Sequence, residues 1–207
     1  MTHETVRARV RDYYTGKLRQ HGPTPAGADW NSQASQTLRF EQLAQLWRGD
    51  DSASIIDYGC GYGAMAAWLR ERGHRGAYTG FDMSAEMVAA AERESAALPG
   101  CRFTADRSLL DPATVAVASG IFNVRLETGA DEWLAYMLTT IADLARLGRR
   151  GFAFNALTLY SDADHRRPDL YYADPLMLFD HCKRHYSRFV SLLHDYELYE
   201  FTLLVRS

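Results

Sequence analysis

The residues best suited to chemistry lie in one short run, Asp57-Tyr58-Gly59-Cys60-Gly61-Tyr62-Gly63. Glycines at alternate positions let a chain turn sharply out of a strand, and they let a ligand reach the backbone with no Cβ in the way. Gly59, Gly61 and Ala64 also satisfy the G-x-G-x-x-A spacing of dinucleotide sites. Asp57, immediately before the loop, suits a ligand's ammonium group and would repel a pyrophosphate. Further on, Gly80-Phe81-Asp82-Met83-Ser84 puts an acid where its two oxygens can accept from both hydroxyls of a ribose. Nicotinamide-dependent enzymes use the same device, so Asp82 points to a ribose-bearing ligand without choosing one.

These residues need strands to carry them, and the hydrophobic pattern supplies them. Ser54 to Tyr58 is a short apolar run ending in glycines, as a buried parallel strand would be. The spacing predicts a helix from Ala64 to Arg72, a strand from Ala77 to Phe81, a Ser84-capped helix to Ala97, and strands at 101–105 and 114–118. A strongly amphipathic helix carries Leu134, Met137, Leu138, Ile141 and Ala145. It is followed by a strand at 151–157 and a helix opened by Asp174-Pro175. Two last strands, 188–194 and 200–206, are joined by Asp195 to Tyr199 and should pair antiparallel. Before all this come two helices, at about 3–20 and 32–47, with a Pro/Gly loop between them. Gln36 falls on the apolar stripe of the second and so requires a partner. Alternation implies a mostly parallel sheet with helices on both faces, whose ligands bind at the carboxyl ends of its strands.

On these residues the chain resembles the class I S-adenosylmethionine-dependent methyltransferases of the small-molecule type. Ser54-Ile-Ile-Asp-Tyr-Gly-Cys-Gly-Tyr-Gly is similar to their first motif. The resemblance implies an α/β, Rossmann-like fold: a seven-stranded, mostly parallel sheet with an antiparallel C-terminal strand and an N-terminal helical cap. It implies S-adenosylmethionine as cofactor and S-adenosylhomocysteine as product. The cofactor would meet the loop of Asp57, Gly59, Cys60, Gly61 and Gly63, with Asp82 on its ribose. Met83 would pack on the adenine, and Asp106, at the end of the third strand, would take the adenine amino group. Trp30-Asn-Ser-Gln-Ala-Ser-Gln36-Thr-Leu-Arg39-Phe40 looks like the covering helix of some members. It would bring Trp30, Gln36 and Arg39 to the cofactor, Arg39 to its methionyl carboxylate, with Tyr13 from the first helix.

The acceptor side is expected at the ends of the fourth and fifth strands, under the N-terminal segment. Asn123 and Asn155 sit at those strand ends, and Tyr14 and Tyr160 are the aromatic candidates beside them. His194 is a further imidazole in the C-terminal hairpin. The polar insert from Ser161 to Tyr172 comes after the fifth strand and is a natural lid. Neither strand end carries Asn-Pro-Pro-Tyr, which argues against methylases of DNA bases, and no paired metal-ligand carboxylates are evident. Intramolecular displacement or cleavage at the sulfonium, a nicotinamide-dependent oxidoreductase and a non-catalytic binding domain are the competing readings.

Bulk properties set the outer bounds. The 207 residues suit a single domain, 1–207, with residues 1–48 as cap and 160–173 as lid. A net charge of -3 provides no field for a nucleic-acid backbone. No apolar run is long enough for a bilayer, and the N-terminus lacks the apolar stretch of a signal peptide. Cys60, Cys101 and Cys182 form no CxxC pair, so no zinc site or disulfide framework is expected, and a reducing cytoplasm is the natural compartment. A small-molecule acceptor is the expected partner.

Overall fold

The computed structural model describes residues 3–207. Helix α1 (His3–His21) buries Val6, Val10 and Leu18 at helical spacing. A single 3₁₀ turn (Ala26–Ala28) leads to α2 (Gln33–Ala44), which the Ser32 hydroxyl caps by accepting from Ser35 N at 3.1 Å. The alternation then runs β1 (Ile55–Tyr58), α3 (Ala64–Glu71), β2 (Tyr78–Phe81), α4 (Ala85–Glu94), β3 (Cys101–Thr104) and β4 (Val115–Ala118). It continues through α5 (Ala130–Leu147), β5 (Gly151–Leu157), α6 (Pro175–His185), β6 (Phe189–Leu193) and β7 (Glu200–Arg206). Helix α4 is shorter than expected. It stops at Glu94, and Ser95 hands the chain to a turn before Pro99-Gly100.

The seven strands lie in the order β3-β2-β1-β4-β5-β7-β6. All neighbours pair parallel except β7, which runs antiparallel to both β5 and β6. The strand order reverses between β1 and β4. Crevices at such a reversal, outside the carboxyl ends of the strands, are where open α/β sheets bind ligands.

Period-two alternation sends the two sides of each strand to different cores. Ile56, Tyr58, Ala116, Phe152 and Phe154 pack with α1 and α5 through Val6, Trp133, Met137 and Leu144. Ile55, Val115, Val117 and Ala153 pack on the other face with Phe40, Leu43, Met65 and Leu69 of α2 and α3. Asp57 and Asn155, one residue out of phase with the first set, therefore fall on the α2 side.

Two segments lie over the carboxyl edge. The first is α1 with the 3₁₀ turn. Thr15 Oγ1 meets Ser84 Oγ at 2.7 Å, Tyr13 Oη donates to Asp29 at 2.8 Å, and Lys17 pairs with Asp29 at 2.7 Å. The second is the insert after β5. Its later part is held by the stretch after β4: a Val124–Leu170 bridge, and Arg125 donating to the carbonyls of Leu170 at 3.1 Å and Pro168 at 3.0 Å.

Candidate active site

The glycine loop leaves β1 with Gly59, Gly61 and Gly63 at φ of 87°, 53° and 83°, all in the left-handed region that L side chains avoid. At Gly59 space matters as well, because a Cβ there would stand 2.3 Å from Ile121 Cγ2. Gly63 begins α3, so the loop delivers backbone N–H groups at a helix start. The loop is tied to β2. Gly59 N and Cys60 N donate to the Phe81 carbonyl at 2.7 and 2.9 Å, and Gly61 N donates to Asp82 Oδ2 at 2.9 Å. The other Asp82 oxygen accepts from Ser84 N at 2.9 Å.

Between this loop, α1, α2 and the stretch after β4 lies a cleft, at the reversal of strand order where open α/β sheets bind ligands. Its wall includes Asp57, Gly59, Cys60, Gly61, Asp82 and Met83 from the sheet edge, and Tyr14, Trp30 and Gln36 from the cap. Gln36 finds the partner its burial demands in the Tyr62 hydroxyl, 3.1 Å away. Asp57 is 3% exposed; Tyr78 Oη donates to its Oδ2 at 2.6 Å, and its Oδ1 has no partner among the described residues. Burial pushes the Asp57 carboxyl up to about 7, with the Tyr78 hydrogen bond pulling down and the nearby Asp82 charge adding to the rise. Burial likewise raises Asp82 to about 6, against the two backbone donors. The Ser119 hydroxyl, also on the wall, is a second buried polar group without a partner among the described residues. Such orphaned groups are costly unless a ligand satisfies them. Two acids short of positive charge and a free hydroxyl suit a ligand with an ammonium group and a ribose, and they do not suit a pyrophosphate.

A second, more polar chamber adjoins the cleft and shares Tyr14, Ala28 and Trp30 with it. Asn123, Arg39, Glu200, the insert and the β6–β7 loop complete its wall. The partition between the two spaces is built from a stack. The Trp30 ring lies on the Gly120 backbone, where a Cβ would come within 1.9 Å of Cη2, and the Arg39 guanidinium covers the ring at 4.1 Å. Tyr14 stands at the junction. Burial and the acids around it raise its hydroxyl well above the ordinary tyrosine value, so it is a neutral donor.

Several expected residues are placed elsewhere. Arg39 does not face the cofactor cleft, because its Nε and Nη2 are spent on Glu200 (Nε to Oε2 at 2.8 Å) and its Nη1 on the Ser35 carbonyl. Asp106 is exposed and caps a short turn by accepting from Ser108 N at 2.9 Å, away from the cleft. Asn155 is fully buried beneath the site. Its Oδ1 accepts from Gly120 N at 2.6 Å, which fixes the loop that carries Trp30's platform. Tyr13 serves the Asp29 contact, and Tyr160 is 59% exposed with its ring beside His194. Asn123 does line the second chamber, donating to Glu200 at 3.4 Å and accepting from Leu157 N at 3.2 Å. Sequence reasoning missed Ser119, Asp29, Glu200 and His165. Only Ser119 had a legible signal, its position directly after the fourth strand.

Comparison with known proteins identifies the family and the fold. Residues 55–146 match the family model described as a methyltransferase domain. A protein of Mycobacterium tuberculosis named as a methyltransferase is 53% identical over 156 residues, covering 75% of this chain and 94% of its own length. Among solved structures, the magnesium protoporphyrin IX methyltransferase of Synechocystis PCC 6803 with bound S-adenosylmethionine superposes with a TM-score of 0.67 at 18% identity, over 100% of this chain and 98% of that one. The N-methyltransferase NodS of Bradyrhizobium japonicum WM9, in complex with S-adenosylhomocysteine, gives 0.68 at 14% identity over 96% and 98% of the two chains. At such identities the structural likeness is one of fold.

Proposed function

The chain belongs to the class I S-adenosylmethionine-dependent methyltransferases, and on that footing we propose that it methylates a small molecule seated in the chamber beside the cofactor cleft. The observation that carries this reading is the pair of adjoining spaces, parted by Tyr14 and Trp30, with the unpartnered Asp57 oxygen in one of them.

S-adenosylmethionine supplies a methyl group activated by its sulfonium. In our assignment Asp57 holds the ammonium group, Asp82 the ribose hydroxyls and Met83 the adenine face, while the loop of Gly59, Cys60, Gly61 and Gly63 shapes the floor. Gln36 and Trp30 cover the cleft from α2 and the segment before it. Tyr14, kept neutral by its surroundings, donates a hydrogen bond to the acceptor and does not take its proton. Asn123 orients the acceptor from the chamber wall. Asn155 acts through Gly120 as a positioning residue. Residues 1–48 serve as cap and 160–173 as lid on a single domain, and together they exclude water and hold the acceptor in line. Among the described residues no helix is long and apolar enough to cross a membrane. The three cysteines are free, which supports work in the reducing cytoplasm.

Product analysis tests the reading. With methyl-deuterated S-adenosylmethionine and a metabolite extract, the enzyme is expected to release S-adenosylhomocysteine in step with label appearing in one small product. Methylthioadenosine without S-adenosylhomocysteine would mean a different use of the sulfonium and would refute methyl transfer.

A further inference from the structure

The charges on the wall of the second chamber say what kind of molecule it can hold. Of its two guanidinium groups one is buried and the other lies in a surface pair. Arg39 is locked on Glu200 and Ser35, and Arg167 pairs through Nε and Nη2 with Asp169. Of the carboxylates, Asp29 is shared by Tyr13 and Lys17, and Glu200 accepts from Arg39 and Asn123. Glu197 alone among the wall's carboxylates and guanidiniums has no partner among the described residues. A carboxylate or phosphate on the acceptor would find no unpaired buried cation among the described residues, only the solvated Arg167–Asp169 pair, and one uncompensated negative charge. An ammonium group would find only Glu197, which is exposed, and a solvated pair of that kind contributes little.

The rest of the wall has a different character. Tyr14, Tyr172 and Tyr199 bring aromatic rings to it, beside Trp30, whose faces are taken by Gly120 and Arg39; Asn31 and His165 bring amide and imidazole groups, while Asn123 and Ser161 already bond within the protein. Aromatic rings offer apolar faces with a polar tip, while the amides and hydroxyls both donate and accept. A ring with C–H faces and a rim of hydroxyls matches a wall of aromatic rings and neutral polar groups.

We infer that the second chamber takes an uncharged, polyhydroxylated ring, a sugar or cyclic polyol, as the methyl acceptor. This rests on the assignment of the adjoining cleft to S-adenosylmethionine, and the test separates the two. Protein loaded with S-adenosylhomocysteine is examined by saturation-transfer NMR against methyl glycosides of gluco, galacto and manno configuration, and against the matching uronates and amino sugars. At least one neutral glycoside is expected to receive saturation on its ring protons, with its uronate at least tenfold weaker. Tyr199→Ala, which removes a 43% exposed ring from the wall, should cut the transfer at least threefold. A uronate or amino sugar that binds better than its neutral parent overturns the inference, and so does silence from every neutral glycoside or indifference to Tyr199→Ala. Calorimetry with S-adenosylhomocysteine on the same sample reports on the cleft separately: failure there refutes the cofactor assignment, whatever the glycosides do.

Discussion

Tyr78 donates its hydroxyl to Asp57 at 2.6 Å from the neighbouring strand, and by doing so fixes which carboxylate oxygen is left for the ligand. Register puts Ile55 beside Tyr78 and Asp57 beside Gly80, so the phenol reaches along the β1–β2 seam to the strand end. The remaining oxygen, Oδ1, is buried and unpartnered among the described residues.

Ligand binding should depend on pH. With its carboxyl raised to about 7, Asp57 is largely neutral in mildly acidic solution and cannot pair with an ammonium group. Affinity for S-adenosylhomocysteine should therefore fall by up to about tenfold per pH unit as pH drops below about 7, as expected for one linked proton. Asp57→Asn should bind weakly with the pH dependence from this group removed, measured by calorimetry from acid to neutral.

The same residue sets a stability cost. A folded-state value of about 7, above the unfolded value of about 3.9, gives stability that is present at low pH and lost as pH rises through about 7. At about 1.4 kcal/mol per pH unit that span is worth roughly 4 kcal/mol at most. Ligand-free Asp57→Asn should consequently be more stable than the parent above pH 7, by about 1–3 kcal/mol in urea unfolding, while binding worse. Asp82, raised to about 6 for the same reason, acts in the same direction.

Arg39 and Glu200 stand 161 positions apart in the chain and form a buried ion pair that ties α2 to the start of β7. Removing one partner of such a pair leaves a buried charge uncompensated, a loss of about 3–5 kcal/mol. Arg39→Met and Glu200→Gln should each destabilise on that scale, and the double variant should lose much less than their sum in a denaturation cycle. Additive losses would mean that the pair is not coupled.

The lid and cap should respond to ligand unevenly. Hydrogen exchange should slow in residues 22–32 and 160–166 when S-adenosylhomocysteine binds. Residues 167–173 should change little, because Arg125 and the Val124–Leu170 bridge already hold them. Uniform indifference would make both segments packing elements.

Much of this arrangement was legible in the chain. The glycine loop and the acid of β2 declare themselves because an apolar run of strand length must end in a turn and expose the residues just beyond it. The buried Gln36 announced a missing partner, which proved to be Tyr62. Pairing at long range could not be read. Arg39 looked free for a carboxylate because nothing in local periodicity reveals Glu200, and Asn155 looked like an acceptor contact because its bond to Gly120 exists only once β4 and β5 are side by side. Asp106 was ambiguous in kind: an acid after a strand serves equally as a turn cap, and here it is one.

The central claim is that the cleft beside Asp57 and Asp82 is built for S-adenosylmethionine, and calorimetry tests it most directly. S-adenosylhomocysteine should bind with one site per chain and NAD should give no measurable heat. Asp82→Ala should weaken S-adenosylhomocysteine by about 1.5–3 kcal/mol, the scale for hydrogen bonds to a charged group. NAD binding tighter than S-adenosylhomocysteine, or an Asp82→Ala variant with unchanged affinity, would contradict the account.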